Sequence, residues 1–281
     1  MKLECAREKL RDMVGLAERV TGKNLSLPIL NSIILNTSGR SLIIRATNLE
    51  LGVEINLPCR VSQDGLVAIH GGVLSNFLSN ITGETVSLEV VSGNLVVSSP
   101  RHRTIIKGYP PTDFPSLPKV VDDRQFFVIP SDYLAAALRA VSYSSSTSLI
   151  KPEIASVCLY NQGNELAVVA TDSFRLAEKI FPPALKISLA LPHLILPIKN
   201  VSEIIRVLEN TPGEATIEYN QHQISFKMGE IYLTSRLTDG VYPDYRQIIP
   251  TTKLTEAIVL KDRLMETLKV LNIFVDRFGQ I

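Results

Sequence analysis

Apolar residues recur along this chain in two alternating periods, 3.6 and 2, and the alternation is itself repeated. Residues 7–20 set Leu10, Met13, Val14, Ala17 and Val20 on one stripe and leave Arg7, Arg11, Glu18 and Arg19 off it. This predicts an amphipathic helix, ended by Thr21-Gly22-Lys23-Asn24. Period two then takes over, predicting strands over 29–36 and 41–47 around Thr37-Ser38-Gly39-Arg40, and a further strand over 51–57. A shorter helix over 72–81 presents Val73, Leu74, Phe77, Leu78 and Ile81. A hairpin follows, with Val86, Leu88 and Val90 answering Leu95 and Val97 across Ser92-Gly93-Asn94.

Residues 108–125 break this pattern with Pro110, Pro111, Pro115 and Pro118, which suit neither a helix interior nor a central strand, so a linker is expected there. The succession then restarts: a strand over Gln125–Ile129, a helix to about Val141 that Ser131 or Asp132 could cap, and strands at 154–160 and 165–170. A helix opening at Pro197-Ile198 buries Ile204, Ile205, Val207 and Leu208, and a second hairpin carries Ile217, Tyr219, Ile224 and Phe226. Residues 28–48 lie without a gap on 152–172, Pro28 falling on Pro152, Leu35 on Leu159, Gly39 on Gly163 and Ala46-Thr47 on Ala170-Thr171. A third copy begins with alternation over 255–260 and a helix carrying Leu264, Leu268 and Leu271, and is read as incomplete. The expectation is an α+β protein of repeated units, each an antiparallel sheet with two amphipathic helices, over residues 1–121, 122–250 and 251–281.

Composition changes the picture little. With 29 basic and 28 acidic residues the net charge is +1, so electrostatic recognition has to be local. The charged N-terminus lacks a signal-peptide core and no run approaches a membrane span, which gives a cytoplasmic expectation with no membrane partner. Three separated cysteines suit neither a disulfide framework nor a metal site. Asp172-Ser173, Asp122-Asp123 and His70, His102, His193 and His222 have no nucleophile-elbow, metal or phosphate-loop context, so neither catalysis nor a cofactor is expected.

Cations do collect on the helical segments: Arg7, Lys9, Arg11, Arg19, Arg139, Lys199, Arg206, Arg263 and Lys269, with Lys23 just beyond the first helix and Lys151 beyond the serine-rich loop 142–148. On a shared side they would suit a phosphate backbone. The alternative is a set of solvated helix faces laced by Glu4, Glu8, Asp12, Glu18, Glu203 and Glu209.

Four segments, L-P-I-L at 27–30, A-T-N-L-E-L at 46–51, V-A-T-D-S-F-R-L-A at 169–177 and D-G-V-Y-P-D-Y-R-Q-I-I-P at 239–250, resemble in order and spacing the bacterial sliding-clamp family, the beta subunit of the replicative DNA polymerase. The resemblance implies a processivity factor built of clamp domains that close head to tail, self with self, around double-stranded DNA. It marks Arg7, Arg11, Lys23, Arg139, Lys151, Lys199, Arg206 and Arg263 as candidates for the DNA-facing lining. It also implies a groove for short peptides of the polymerase catalytic subunit, the clamp loader, repair polymerases and other peptide-motif proteins. By position that groove is formed by Ile154, Thr171, Ser173, Phe174, Arg175, Leu176, Pro243, Gln247 and Ile248. The family has Gly-His where this chain has Ser173-Phe174, implying a bulkier, less polar rim. A clamp-derived peptide-binding module that closes no ring is the competing expectation.

Overall fold

The computed structural model describes residues 1–22, 27–120, 125–162, 165–181, 191–252 and 254–275. These fall into two compact units, Met1–Pro243 and Asp244–Ile281.

The larger unit contains the duplicated pattern. Four helices, α1 (Arg7–Val20), α2 (Gly71–Asn80), α3 (Ser131–Ser142) and α4 (Ile198–Asn210), pack as the pairs α1–α2 and α3–α4, and α1 also touches α4. The stripes read on α1 and α3 are buried at Leu10, Val14, Ala17 and Val20 and at Leu134, Leu138 and Val141, while Met13 is only half-buried and, on α2, Leu74 and Leu78 are buried but Phe77 is half-buried and Val73 exposed. Removing the buried side chains from water supplies roughly 1.5–3 kcal/mol each, which outweighs the absence of side-chain caps at the helix starts. Neither expected cap of α3 forms. The Ser131 hydroxyl instead donates to the Thr211 carbonyl across the helix pair, and Asp132 accepts from the adjacent Tyr133 N–H.

Among the described residues the strands form three antiparallel sheets. The first runs Arg60–Gln63, Lys2–Ala6, Thr85–Val91, Asn94–Ser98, Arg103–Ile106. The second has nine strands, Gly108–Tyr109, Leu66–His70, Ser32–Ser38, Ser41–Thr47, Leu51–Pro58, Ile231–Arg236, Gln223–Met228, Glu214–Tyr219, Gln125–Pro130. The third runs Leu176–Ile180, Glu165–Thr171, Ser156–Gln162, Leu194–Pro197. The nine-stranded sheet therefore crosses the boundary between copies, because Leu51–Pro58 of the first pairs with Ile231–Arg236 of the second. At this seam Glu54 lies opposite Tyr232, and Gly52 opposite Thr234. The Pro-rich segment covers the seam: Leu117 comes so close that a Cβ on Gly52 would meet it at 2.6 Å, and Lys119 Nζ reaches Glu54 at 3.2 Å. Burial alone would raise the Glu54 carboxyl, but Arg45 and Lys119 outweigh it and hold it below its ordinary value.

Gly108–Tyr109, expected in the linker, adds an edge strand against Ala68 and Ile69. His102 lies in the turn before the strand Arg103–Ile106, its carbonyl accepting from the Ser99 N–H. The Cys5 and Cys158 thiols are core groups that burial pushes up to about 12.

In the smaller unit α5 (Lys261–Leu271) forms as its periodicity predicts, but none of its residues is buried. Residues 255–260 do not become a strand, although their alternation matches one. Alternation makes a strand only where a neighbouring edge accepts its backbone hydrogen bonds.

Candidate functional site

A single turn carries most of the groove candidates. Thr171 ends the strand Glu165–Thr171, Leu176 begins the next, and the four residues between are fixed by side-chain-to-backbone bonds. The Thr171 hydroxyl donates to the Arg175 carbonyl at 2.7 Å and accepts from the Ser173 N–H at 3.1 Å. Asp172 Oδ1 accepts from the Arg175 N–H at 2.7 Å and the Phe174 N–H at 2.9 Å, while its Oδ2 pairs with the Arg175 guanidinium at 2.9 Å. The backbone amides of Arg175 and Phe174, then the Arg175 side chain, hold the Asp172 carboxyl down at about 2. Ser173 takes a left-handed φ of 75°, as such a reversal requires.

This lock leaves Phe174 standing out, 96% exposed, with Ser173 and Arg175 exposed beside it and Leu176 half-buried. Large apolar rings of that exposure on a rigid backbone lose little entropy on contact. Pro243 is exposed. Behind the rim, Tyr242 is buried, and its phenol is pushed up by that burial, with Cys158 adding to the effect. Ile154 and Thr171 are themselves buried, so they shape the rim from beneath rather than offering surface. Gln247 and Ile248 belong to the smaller unit, on the short helical turn Tyr245–Ile248. There Gln247 donates to Asp244 at 2.7 Å and Ile248 is exposed.

Sequence reasoning missed Asp172 as the organiser of this turn. Its signal was available: Thr47-Asn48 lies under Thr171-Asp172 in the repeat, and Asn48 makes the same two backbone bonds, to Leu51 at 2.7 Å and Glu50 at 3.0 Å.

The cationic candidates are less concentrated. Arg7 turns inward, donating to the Leu78 and Gly83 carbonyls at 3.1 and 2.7 Å and pairing with Glu8, so it satisfies one orphan carbonyl in the last turn of α2 and one in the turn that follows. Arg11 pairs with Asp12 at 2.8 Å, Arg206 with Glu203 at 3.4 Å, and Arg139 of α3 with Glu209 of α4. Lys151 and Lys199 are exposed, as is Arg263 on α5 of the smaller unit; Lys23 lies outside the described residues. Among the described residues no group of three or more His, Cys, Asp or Glu side chains could hold a metal ion.

Two family descriptions match the chain: "DNA polymerase III beta subunit, N-terminal domain" over residues 1–118 and "DNA polymerase III beta subunit, central domain" over 128–244. The chain is similar to the beta sliding clamp of Bacillus subtilis, 25% identical over 273 residues that cover 92% of this chain and 70% of the relative. Among solved structures it resembles the sliding clamp of Bacillus subtilis (TM-score 0.90, 22% identity, 99% of this chain and 75% of that one). It also resembles the DNA polymerase III subunit beta of Pseudomonas aeruginosa bound to griselimycin (TM-score 0.83, 25% identity, 90% and 68%). The duplicated helix-and-sheet unit, the continuous sheet across its seam and both halves of the match agree: the chain belongs to the bacterial DNA polymerase III beta subunit, or beta sliding clamp, family.

Proposed function

We propose that this chain is a non-catalytic clamp-family tethering module whose working surface is the Thr171–Leu176 rim of the larger unit. Short peptide segments of a replicative polymerase, a clamp loader or a repair polymerase are its partners. The observation that carries this reading is a wholly exposed Phe174 on a turn already locked by Thr171 and Asp172. Leu176 and Phe174 receive apolar peptide side chains, and the Arg175 guanidinium, exposed beyond its pair with Asp172, meets peptide carbonyls. A tether of this kind raises the local concentration of its partner without chemistry of its own.

Enclosure of duplex DNA is the second reading. The exposed Lys151, Lys199 and Arg263 favour it, while the acidic partners of Arg11, Arg139 and Arg206 lower the positive potential it needs. The domain division 1–121, 122–250 and 251–281 belongs to the same proposal.

Fluorescence anisotropy with a short labelled peptide bearing Leu and Phe side chains tests the first reading. Leu176→Asp and Phe174→Ala are expected to weaken binding at least about tenfold at unchanged melting temperature. Equal affinity in both variants overturns it. Retention on circular duplex with run-off from linear duplex establishes enclosure; equal loss from both leaves the chain a peptide-binding module.

A further inference from the structure

The seam between the two copies holds a cleft of about 260 Å³, on the face of the nine-stranded sheet that the Pro-rich segment covers. Three parts of the chain wall it. Leu49 comes from the left-handed turn of the first copy, Pro115 and Pro118 from the covering segment, and Gln223 and Arg236 from adjacent strands of the second copy, where they stand directly opposite each other.

Two polar groups in this cleft are without partners. Elsewhere on the seam Arg45 and Lys119 both pair with Glu54, whereas the exposed Arg236 guanidinium makes no ion pair or hydrogen bond among the described residues. Gln223 Oε1 is buried and likewise has no hydrogen-bond partner among them. The Thr47 hydroxyl at the cleft serves neither group, since it already donates to the Leu51 carbonyl and accepts from the Leu49 N–H. A buried acceptor without a donor costs about 1–3 kcal/mol, which a ligand carrying an N–H to it recovers.

The ligand is thereby specified at three points: an anion for Arg236, an N–H for Gln223 and a compact apolar group for Leu49 and the two proline rings. The last residue of a peptide carries all three on one Cα, as its carboxylate, its backbone N–H and its side chain. We infer that the seam cleft captures the free C-terminus of a peptide ending in an aliphatic residue. The planar carboxylate accepts two parallel N–H bonds from the Arg236 fork. Opposed positions on neighbouring strands put Gln223 within reach of the same residue, and its side chain leaves water against Leu49, Pro115 and Pro118. A phosphate fits less well: it brings no apolar group, and Asp239, 3.8 Å from His222 at the mouth, opposes a second negative charge. The cleft is also smaller than the roughly 300 Å³ at which pockets for drug-sized ligands begin, as suits a chain end. This site is separate from the Thr171–Leu176 rim and does not depend on peptide binding there.

Fluorescence anisotropy tests it with the 281-residue chain and an N-terminally labelled Gly-Ser-Gly-Leu peptide, prepared as the free acid and as the C-terminal amide. The acid is expected to bind at least about tenfold more tightly than the amide. Arg236→Gln should abolish that preference, and Gln223→Leu should weaken the acid several-fold, both at the native melting temperature. An excess of amidated peptide bearing Leu and Phe, the probe for the rim, should leave the acid bound. No binding of the acid by about 1 mM chain, equal affinity for acid and amide, or a preference that survives Arg236→Gln overturns the inference. So does unchanged affinity in Gln223→Leu, or displacement of the acid by inorganic phosphate as readily as by acetyl-leucine. Displacement by the amidated rim probe assigns the binding to the rim and overturns it too.

Discussion

The turns at residues 47–51 and 171–175 are built alike and used differently. In both, a buried threonine hydroxyl donates to the carbonyl four residues on, at 2.9 Å from Thr47 and 2.7 Å from Thr171. In both, an Asx oxygen accepts two backbone amides, and the third residue is left-handed, φ 77° at Leu49 and 75° at Ser173. What differs is the cover. Glu50 of the first turn is bonded through its carbonyl to the Arg236 amide across the seam, while its counterpart Phe174 projects freely. One local sequence solution thus serves as a structural joint where a neighbouring copy lies on it, and as a candidate recognition rim where none does.

The largest expected separation between the twins comes from deleting the shared hydroxyl. Thr171→Ala removes a buried oxygen that makes two bonds and should cost about 1–2 kcal/mol in denaturant unfolding. Thr47→Ala should cost more, because its turn also positions the Glu50 carbonyl that receives both the Arg236 amide and the Asn200 side chain of the other copy. Equal costs would mean that the seam adds nothing to the covered turn.

A smaller contrast lies in the left-handed residues. Ser173→Gly relieves the backbone while removing only an exposed hydroxymethyl group, and after the entropy glycine adds to the unfolded chain a net gain of about 0.5 kcal/mol is expected. Leu49→Gly relieves the same strain but strips apolar surface from a cleft it shares with Pro115 and Pro118, so it should bring no gain. Thermal melts of the two variants side by side decide this; stabilisation by both would show that Leu49 contributes no packing.

Much of this architecture was legible in the sequence because helices and hairpins leave periodic traces. Leu10, Val14 and Ala17, and again Leu134, Leu138 and Val141, foretold buried faces that formed as written. The first strand, Lys2–Ala6, left no such trace: Lys2, Glu4 and Ala6 face water and only Leu3 and Cys5 turn in, too short a run to register. Residues 255–260 had the trace but pair with no strand among the described residues. For the candidate site, Thr171 through Leu176 could be placed by the repeat, but the inward turn of Arg7 could not, since it depends on the Leu78 and Gly83 carbonyls contributed by α2 and the turn after it. Charge on a helix reads as surface until the partner that consumes it is known.

The smallest expected effect separates the twins by titration alone. Asp172 has an ordinary pKa of 3.8 and is held at about 2 in the fold, so the folded chain keeps it ionised where the unfolded chain takes up a proton. Its contribution is present in full above about 4 and is lost as pH falls through about 2. Asn48, its counterpart, does not titrate, so acid should loosen the 171–175 turn while leaving the 47–51 turn intact. Solvent screens the Asp172–Arg175 pair, which keeps the change modest. Asp172→Asn retains the oxygen that receives the Arg175 and Phe174 amides and removes the charge. Amide exchange at Phe174 and Arg175 should therefore accelerate between pH 4 and 2 in the wild-type chain and not in this variant. Matching acceleration at Glu50 and Leu51 would show that the acid sensitivity belongs to the whole fold and not to the one carboxylate that distinguishes the two turns.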